Sequence, residues 1–206
     1  MSMGVKEAIA ARHSVRAFAR KPLTEGQITE LLEAARNAPS SLNSQPWRFR
    51  VVTDAADIAW FGTSEASRKQ SWLSGAAAIF LCCADLEHYV KDSQAAAFFY
   101  RDNDIITGEP MDGIDAYVAR EAAAVEQAKF GACAMNVALA EAFLMLRAVE
   151  MGLGACWVGM FDEANIKARF GIPAGWRIVN ILAVGTPDEP TVYPRKRKSL
   201  EEIVLK

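Results

Sequence analysis

From Asp115 to Met151 the chain holds no proline and a single glycine, Gly131, so the stretch reads as one long helix or two abutting ones. Ala132 to Leu146 is apolar on nearly every face. A helix with no wet side belongs at the centre of a fold or between subunits, and the remaining segments must be arranged to cover it.

Those segments alternate in type. Val5 to Ala11 predicts a short helix, and a second starts at Thr24, where Thr24 and Gln27 have capping-box spacing and Ile28, Leu31, Leu32 and Ala35 share one face; Pro39 stops it. Trp47 to Thr53 predicts a strand with one wet face, because Trp47, Phe49 and Val51 alternate with Arg48 and Arg50. Ala76 to Ala84 has no polar face and predicts a strand covered on both sides. Between Arg101 and Gly113 the composition turns to Asp, Asn, Gly and Pro, which predicts an exposed segment able to arch over a site. Gly152 to Gly154 ends the apolar helix, Ala155 to Met160 predicts a strand, Asp162 caps a helix closing at Phe170-Gly171, and Arg177 to Val184 predicts the last strand. The order suggests α+β layers around one sheet, in a single domain spanning 1–206 whose residues 188–206 form a tail packing on the core or on a partner subunit.

Composition removes several classes of function. With 23 basic and 25 acidic residues the net charge is -2, which gives no global field for nucleic acid or anionic membrane. The longest unbroken apolar run, Ala76 to Ala84, is under half of the ~20 residues of a bilayer span. No signal-peptide core opens the chain, so a cytoplasmic protein is expected. The four cysteines form no Cys-x-x-Cys and read as buried thiols, and two isolated histidines make a metal site or a histidine-dependent nucleophile unexpected. The difficult chemistry is therefore expected to come from a bound group.

Two positive clusters stand out, Arg12-His13-Ser14-Val15-Arg16 and Arg195-Lys196-Arg197-Lys198. Arginine forks bind phosphate oxygens in pairs, Ser14 adds a neutral donor, and Arg195 and Arg197 share a side if their segment is extended. Either cluster alone also reads as a solvated face. Pro39 to Pro46 carries Ser40, Ser41, Asn43 and Gln45, which are either turn formers or donors for the edge of a planar polar ligand. Glycines 152, 154 and 159 lack the dinucleotide-fingerprint spacing, and no phosphate loop is present in the sequence, so a Rossmann site is not expected.

Taken together, Arg12–Arg16, Pro39–Trp47, Gly152–Gly159 and the tail Arg197–Glu202 resemble the FMN-dependent nitroreductase family, in this order and spacing from Val5 to Leu205. The resemblance implies a nitroreductase-like α+β fold, with a central mixed, mostly antiparallel sheet flanked by helices, in an intertwined homodimer carrying FMN at the subunit interface. It implies that Arg12, Ser14 and Arg16, with His13 through its backbone, hold the FMN phosphate together with Arg195 and Arg197. Pro39, Ser40, Ser41, Asn43 and Gln45 would approach from the other subunit, and Cys156, Trp157, Val158 and Gly159 would lie along the flavin ring. Asn136 matches an amide position of such proteins and reads equally as a helix-packing group. NADH or NADPH would supply electrons to small acceptors such as nitroaromatics or quinones by a ping-pong route, with no catalytic side chain required. Relatives of this fold also carry out dehalogenation, azoline oxidation and flavin breakdown, and a flavin-binding store without turnover is the alternative outside catalysis. Residues 85–117 carry no motif of the family, and in such enzymes this region shapes substrate choice.

Overall fold

The computed structural model describes residues 3–189 and 195–205; Pro190 and Pro194 of the expected tail lie outside the described residues. In chain order the elements are α1 (Val5–Ala11), β1 (Phe18–Ala19), α2 (Glu25–Arg36), β2 (Trp47–Val52), α3 (Ala55–Phe61), α4 (Ser64–Ser67), β3 (Ala78–Asp85), α5 (Leu86–Asp102), α6 (Glu109–Ala123), α7 (Glu126–Glu150), β4 (Gly154–Val158), α8 (Glu163–Phe170), β5 (Trp176–Pro187) and α9 (Leu200–Ile203). Local signals set many of their ends. Thr24 and Gln27 form the reciprocal capping box of α2, Asp162 accepts the Asn165 N–H at the start of α8, and Gly171 ends α8 in the left-handed conformation.

The sheet runs β1-β5-β3-β2, with β4 on the other edge of the long β5. Every strand pairing is antiparallel, and one parallel bridge, Ser14 to Ala155, lays the N-terminal segment beside β4. β3 is buried along its whole length, as its unbroken apolar sequence predicts. Ala78, Phe80, Cys82 and Ala84 face the core shared with α2 and α7, while Ile79, Leu81 and Cys83 face a second core with α3 and α8. Trp47, Phe49 and Val51 of β2 join the first core, in keeping with their alternation. The four cysteines are free and buried.

α7 is long and apolar enough to cross a bilayer by length and composition alone. Here Cys133, Val137, Ala140, Leu144 and Ala148 are spent on the first core, and two polar side chains, Asn136 and Glu141, are buried with them. The opposite stripe, Met135, Leu139 and Phe143, stays exposed.

The proline-free stretch takes the second of its two expected forms, two abutting helices, with Ala124 and Val125 in extended backbone between α6 and α7, although neither residue is a helix breaker. The segment 101–113 is mostly exposed, as its composition predicts, but more of it is helical than that composition suggests. It is the turn of a helical hairpin, with only residues 103–108 outside α5 and α6. Pro110 sits in the first turn of α6, where a missing N–H costs nothing, and Gly108 adopts φ 66 to admit the chain, so both residues start a helix there.

Candidate functional site

The N-terminal cluster is shaped by packing before it is shaped by charge. Arg12 leaves α1 with extended backbone, and Val15 donates its N–H to Ala155 O at 3.1 Å, holding His13–Arg16 against β4. Val15 is 1% exposed and fills the space beside Gly154, where a Cβ would lie 2.5 Å from Val15 Cγ2. In an extended segment Ser14 and Arg16 then share the side opposite Val15. The Ser14 hydroxyl meets the Cys156 thiol. Burial pushes that thiol up, while Arg16, Ser14 and Arg12 pull it in the other direction.

From the other end of the chain, Arg195 donates to the backbone carbonyls of Arg12 and Ala10, among the carbonyls that the last turn of α1 leaves free. Burial, then Arg195, then Arg197 lower the Arg12 guanidinium from its ordinary value, so the three arginines share one neighbourhood. Among the described residues, no carboxylate forms a side-chain ion pair with Arg12, Arg16, Arg195 or Arg197. Elsewhere most arginines are paired, as in Arg177–Glu163 and Arg169–Asp57. Converging guanidinium groups left without counter-charge are suited to a multiply charged anion. His13 differs from its neighbours: its ring turns to Glu189, at 2.9 Å, which leaves only its backbone to the cluster.

β4 continues from this cradle. Cys156 and Val158 are buried, Trp157 is 45% exposed, and Gly159 opens onto free space. Beside its end lies a turn that sequence reading passes over. Arg68 and Lys69 both adopt left-handed backbone, at φ 52 and 65, and Gln70 donates its side-chain amide to Met160 O at 2.8 Å. Two non-glycine residues in that conformation store strain of about 1–3 kcal/mol each, as binding sites often do. Their only sequence signal is a basic pair beside a helix end.

The loop at Pro39–Gln45 is equally constrained. Leu42, Asn43 and Gln45 hold φ of 49, 50 and 42. Ser40 Oγ accepts the Gln45 N–H at 3.0 Å, the Gln45 side chain donates back to Asn43, and Arg48 donates to Gln45 O at 3.1 Å. Asn136, 3% exposed on α7, accepts the Ser41 N–H at 2.9 Å and donates to Ala132 O at 2.9 Å. Its position in the helix therefore serves the loop. Toward α7 the loop opens a hollow of about 440 Å³ lined by Pro39, Ser40, Ser41, Met135, Asn136 and Leu139. Toward α5 it opens a second, of about 580 Å³, with Asn43, Gln45, Arg48, Phe99 and Tyr100 on its walls.

The fold thus brings Arg12, His13, Ser14, Arg16, Cys156, Arg195 and Arg197 into one neighbourhood, with Trp157, Val158 and Gly159 leading away from it. Pro39, Ser40, Ser41, Asn43 and Gln45 form a separate group, and no hydrogen bond or ion pair among the described residues joins it to the first. No cluster of His, Cys, Asp and Glu suited to a metal occurs among the described residues.

Residues 9–186 match the model of the Nitroreductase family. The chain belongs to that family. Membership places it among FMN-dependent NAD(P)H oxidoreductases. It is 32% identical over 98% of its length, and 96% of the other's, to a protein of Thermus thermophilus named NADH dehydrogenase. It is 28% identical over 87% of its length, and 86% of the other's, to a Bacillus subtilis protein carrying the name NAD(P)H nitroreductase YdgI. Among solved structures, one from Exiguobacterium sibiricum in complex with FMN superposes with a TM-score of 0.79, covering 100% of this chain and 98% of that one at 21% identity. That likeness concerns the fold.

Proposed function

We propose that this nitroreductase-family chain binds FMN and uses NADH or NADPH to reduce small acceptors, nitroaromatics and quinones among them, by a ping-pong route in the cytoplasm. The observation that carries the reading is the meeting of Arg12, Arg16, Arg195 and Arg197, from opposite ends of the polypeptide, with no side-chain ion pair to a carboxylate among the described residues. A mononucleotide phosphate supplies the charge that this donor set lacks, and Ser14 adds a hydroxyl. Trp157, Val158 and Gly159 then extend along the ring, His13 contributes through its backbone, and Cys156 stays buried under the phosphate end. When bound, FMN supplies the transfer of hydride from nicotinamide to acceptor. The residues of the chain bind and orient it, and the cations beside it stabilise negative charge developing on the ring.

In the same reading the molecule is a homodimer whose two sites each draw on both chains. Pro39, Ser40, Ser41, Asn43 and Gln45 would then complete the partner's site. The exposed stripe Met135, Leu139 and Phe143 on α7, adjoining the hollow under that loop, supports this arrangement, because apolar surface of this kind marks an interface. Leu200, Ile203 and Val204 of the tail are also exposed, so they do not dock on their own chain and remain free for a partner.

The test is direct. Purified protein is expected to be a yellow dimer with one FMN per chain that bleaches anaerobically on addition of NADH or NADPH and turns over with a nitro or quinone acceptor. A colourless protein that takes up no FMN rejects the reading. One reduction with no further turnover would make it a flavin store.

A further inference from the structure

Glu189 is an unexpected neighbour for an anion cradle. Its side chain is 15% exposed and lies directly behind Arg12–Arg16. Asp188 donates its N–H to Ala17 O at 2.9 Å, so the end of β5 runs beside this segment. One oxygen of Glu189 accepts the Arg16 N–H at 2.7 Å, and the other lies 2.9 Å from His13 Nε2. Burial raises the Glu189 carboxyl, but the Arg16 N–H and the His13 ring outweigh it and hold the group below its ordinary range.

The His13 ring is committed on both sides. Its Nδ1 lies 3.1 Å from Ala11 O and its Nε2 faces the carboxylate. A neutral imidazole has one N–H, and both of these partners are acceptors. Only the imidazolium donates to both. The charged groups of the cradle are Arg12 and Arg16 on the same segment, Arg195 and Arg197 from the tail and Glu189 after β5, with the uncharged Cys156 thiol beside them on β4.

We infer that Glu189 and His13 are the positioning pair of the cradle: a carboxylate and a ring engaged at both nitrogens together fix the backbone of residues 11–16 in the shape that receives a phosphate monoester. This rests on the FMN reading above. Neither side chain touches the phosphate. Glu189 fixes Arg16 through its N–H, His13 bridges Ala11 to Glu189, and Arg195 grips the carbonyls on the α1 side. A carboxylate beside an anion site would otherwise oppose binding, so its gain must come through geometry. Retention of a phosphorylated flavin is then coupled to both side chains, and loss of either one releases the segment on that side.

The test is dilution of the holoprotein at one fixed pH, with released flavin read by fluorescence, for the wild type, Glu189→Ala, Glu189→Gln and His13→Gln. Glu189→Ala is expected to raise the FMN dissociation constant at least tenfold. Glu189→Gln keeps an acceptor for the Arg16 N–H and is expected to recover part of that loss. It also keeps the test valid if the alanine variant does not fold. His13→Gln breaks the bridge from Ala11 to Glu189 and is expected to raise the constant at least about threefold. Riboflavin, which has no phosphate, should show no such losses. Constants within twofold of wild type for both Glu189→Gln and His13→Gln would overturn the inference while leaving the FMN reading intact. A wild type that holds no FMN would overturn both.

Discussion

Arg195 and Arg12 meet although 183 positions separate them: the guanidinium of Arg195 donates to the carbonyl of Arg12 and, with its other terminal nitrogen, to that of Ala10. Carbonyls at a helix C-terminus have no partners of their own, and a cation there also answers the negative end of the helix dipole. Once Arg195 is anchored in this way, Arg197 is near enough to act on Arg12. A helix end thus gathers like charges that would otherwise stay apart.

Removing members of this group should release flavin. Replacing Arg12 and Arg16 together with Ala is expected to weaken FMN binding by several kcal/mol, since each charge-assisted hydrogen bond contributes about 1.5–3 kcal/mol. Arg195→Ala should cost about as much as one such bond. Arg195→Lys should recover little, because an ammonium cannot fork to two carbonyls as a guanidinium does. Calorimetric titration of FMN into each variant decides this, and unchanged affinity in the double variant would remove the phosphate role.

Asn136 carries the loop of the second half-site. With Asn136→Ala the Ser41 N–H loses its acceptor in a half-buried hydrogen bond, a loss of about 0.5–1.5 kcal/mol. The variant is expected to unfold at lower urea and to bind FMN more weakly, because the strained turn at Leu42–Gln45 relaxes once its anchor is gone. Urea midpoints that match wild type would show that the bond contributes nothing.

Much of this architecture is written in local signals, and the losses have local causes too. The capping box at Thr24, the Asp162 cap, the left-handed Gly171 and the unbroken apolar β3 each speak for themselves in the sequence. The break at Ala124–Val125 does not, since two helix-compatible residues turn there only because α6 packs on α5 while α7 enters the core. Pro110 and Gly108 misled for the opposite reason, as the same residue types that interrupt structure also begin a helix. In the site, the arginines at both ends were legible by charge. Glu189 was not, for an acidic pair between Pro187 and Pro190 signals nothing until the fold lays its second member behind His13. The Arg68–Lys69 turn was hidden likewise, because strain is a property of backbone and has no composition.

Gly154 offers a test of how the cradle is seated. An alanine Cβ there would lie 2.5 Å from Val15 Cγ2 and 3.0 Å from Pro187 Cγ, so something must move. Gly154→Ala is expected to destabilise by about 1–3 kcal/mol, as overpacking does, and to weaken FMN binding by pushing Val15, and with it Ser14 and Arg16, off β4. Adding Val15→Ala should restore part of both losses by clearing the space. Thermal melts and FMN titrations of the single and double variants check this, and independent, additive effects would disprove the coupling.

Glu141 predicts a dependence of stability on pH. It is fully buried on α7, its two oxygens accept from the Asn180 side chain at 3.2 and 3.0 Å, and it meets the Cys82 thiol. Burial raises its carboxyl to about 7, with the Cys82 and Asn180 hydrogen bonds only partly opposing this. In the unfolded chain the group titrates near its ordinary 4.5. Below that pH both states hold the proton. Between 4.5 and about 7 the unfolded chain releases it while the fold retains it, so stability falls across this window and levels above it. The loss is on the order of 3 kcal/mol, at about 1.4 kcal/mol per unit. Glu141→Gln keeps a neutral acceptor for Asn180 and has nothing to titrate. Urea unfolding with FMN in fixed excess should therefore show wild type losing ground to this variant from pH 5 to pH 8, and a difference that stays flat over that range would mean Glu141 is ionised in the fold.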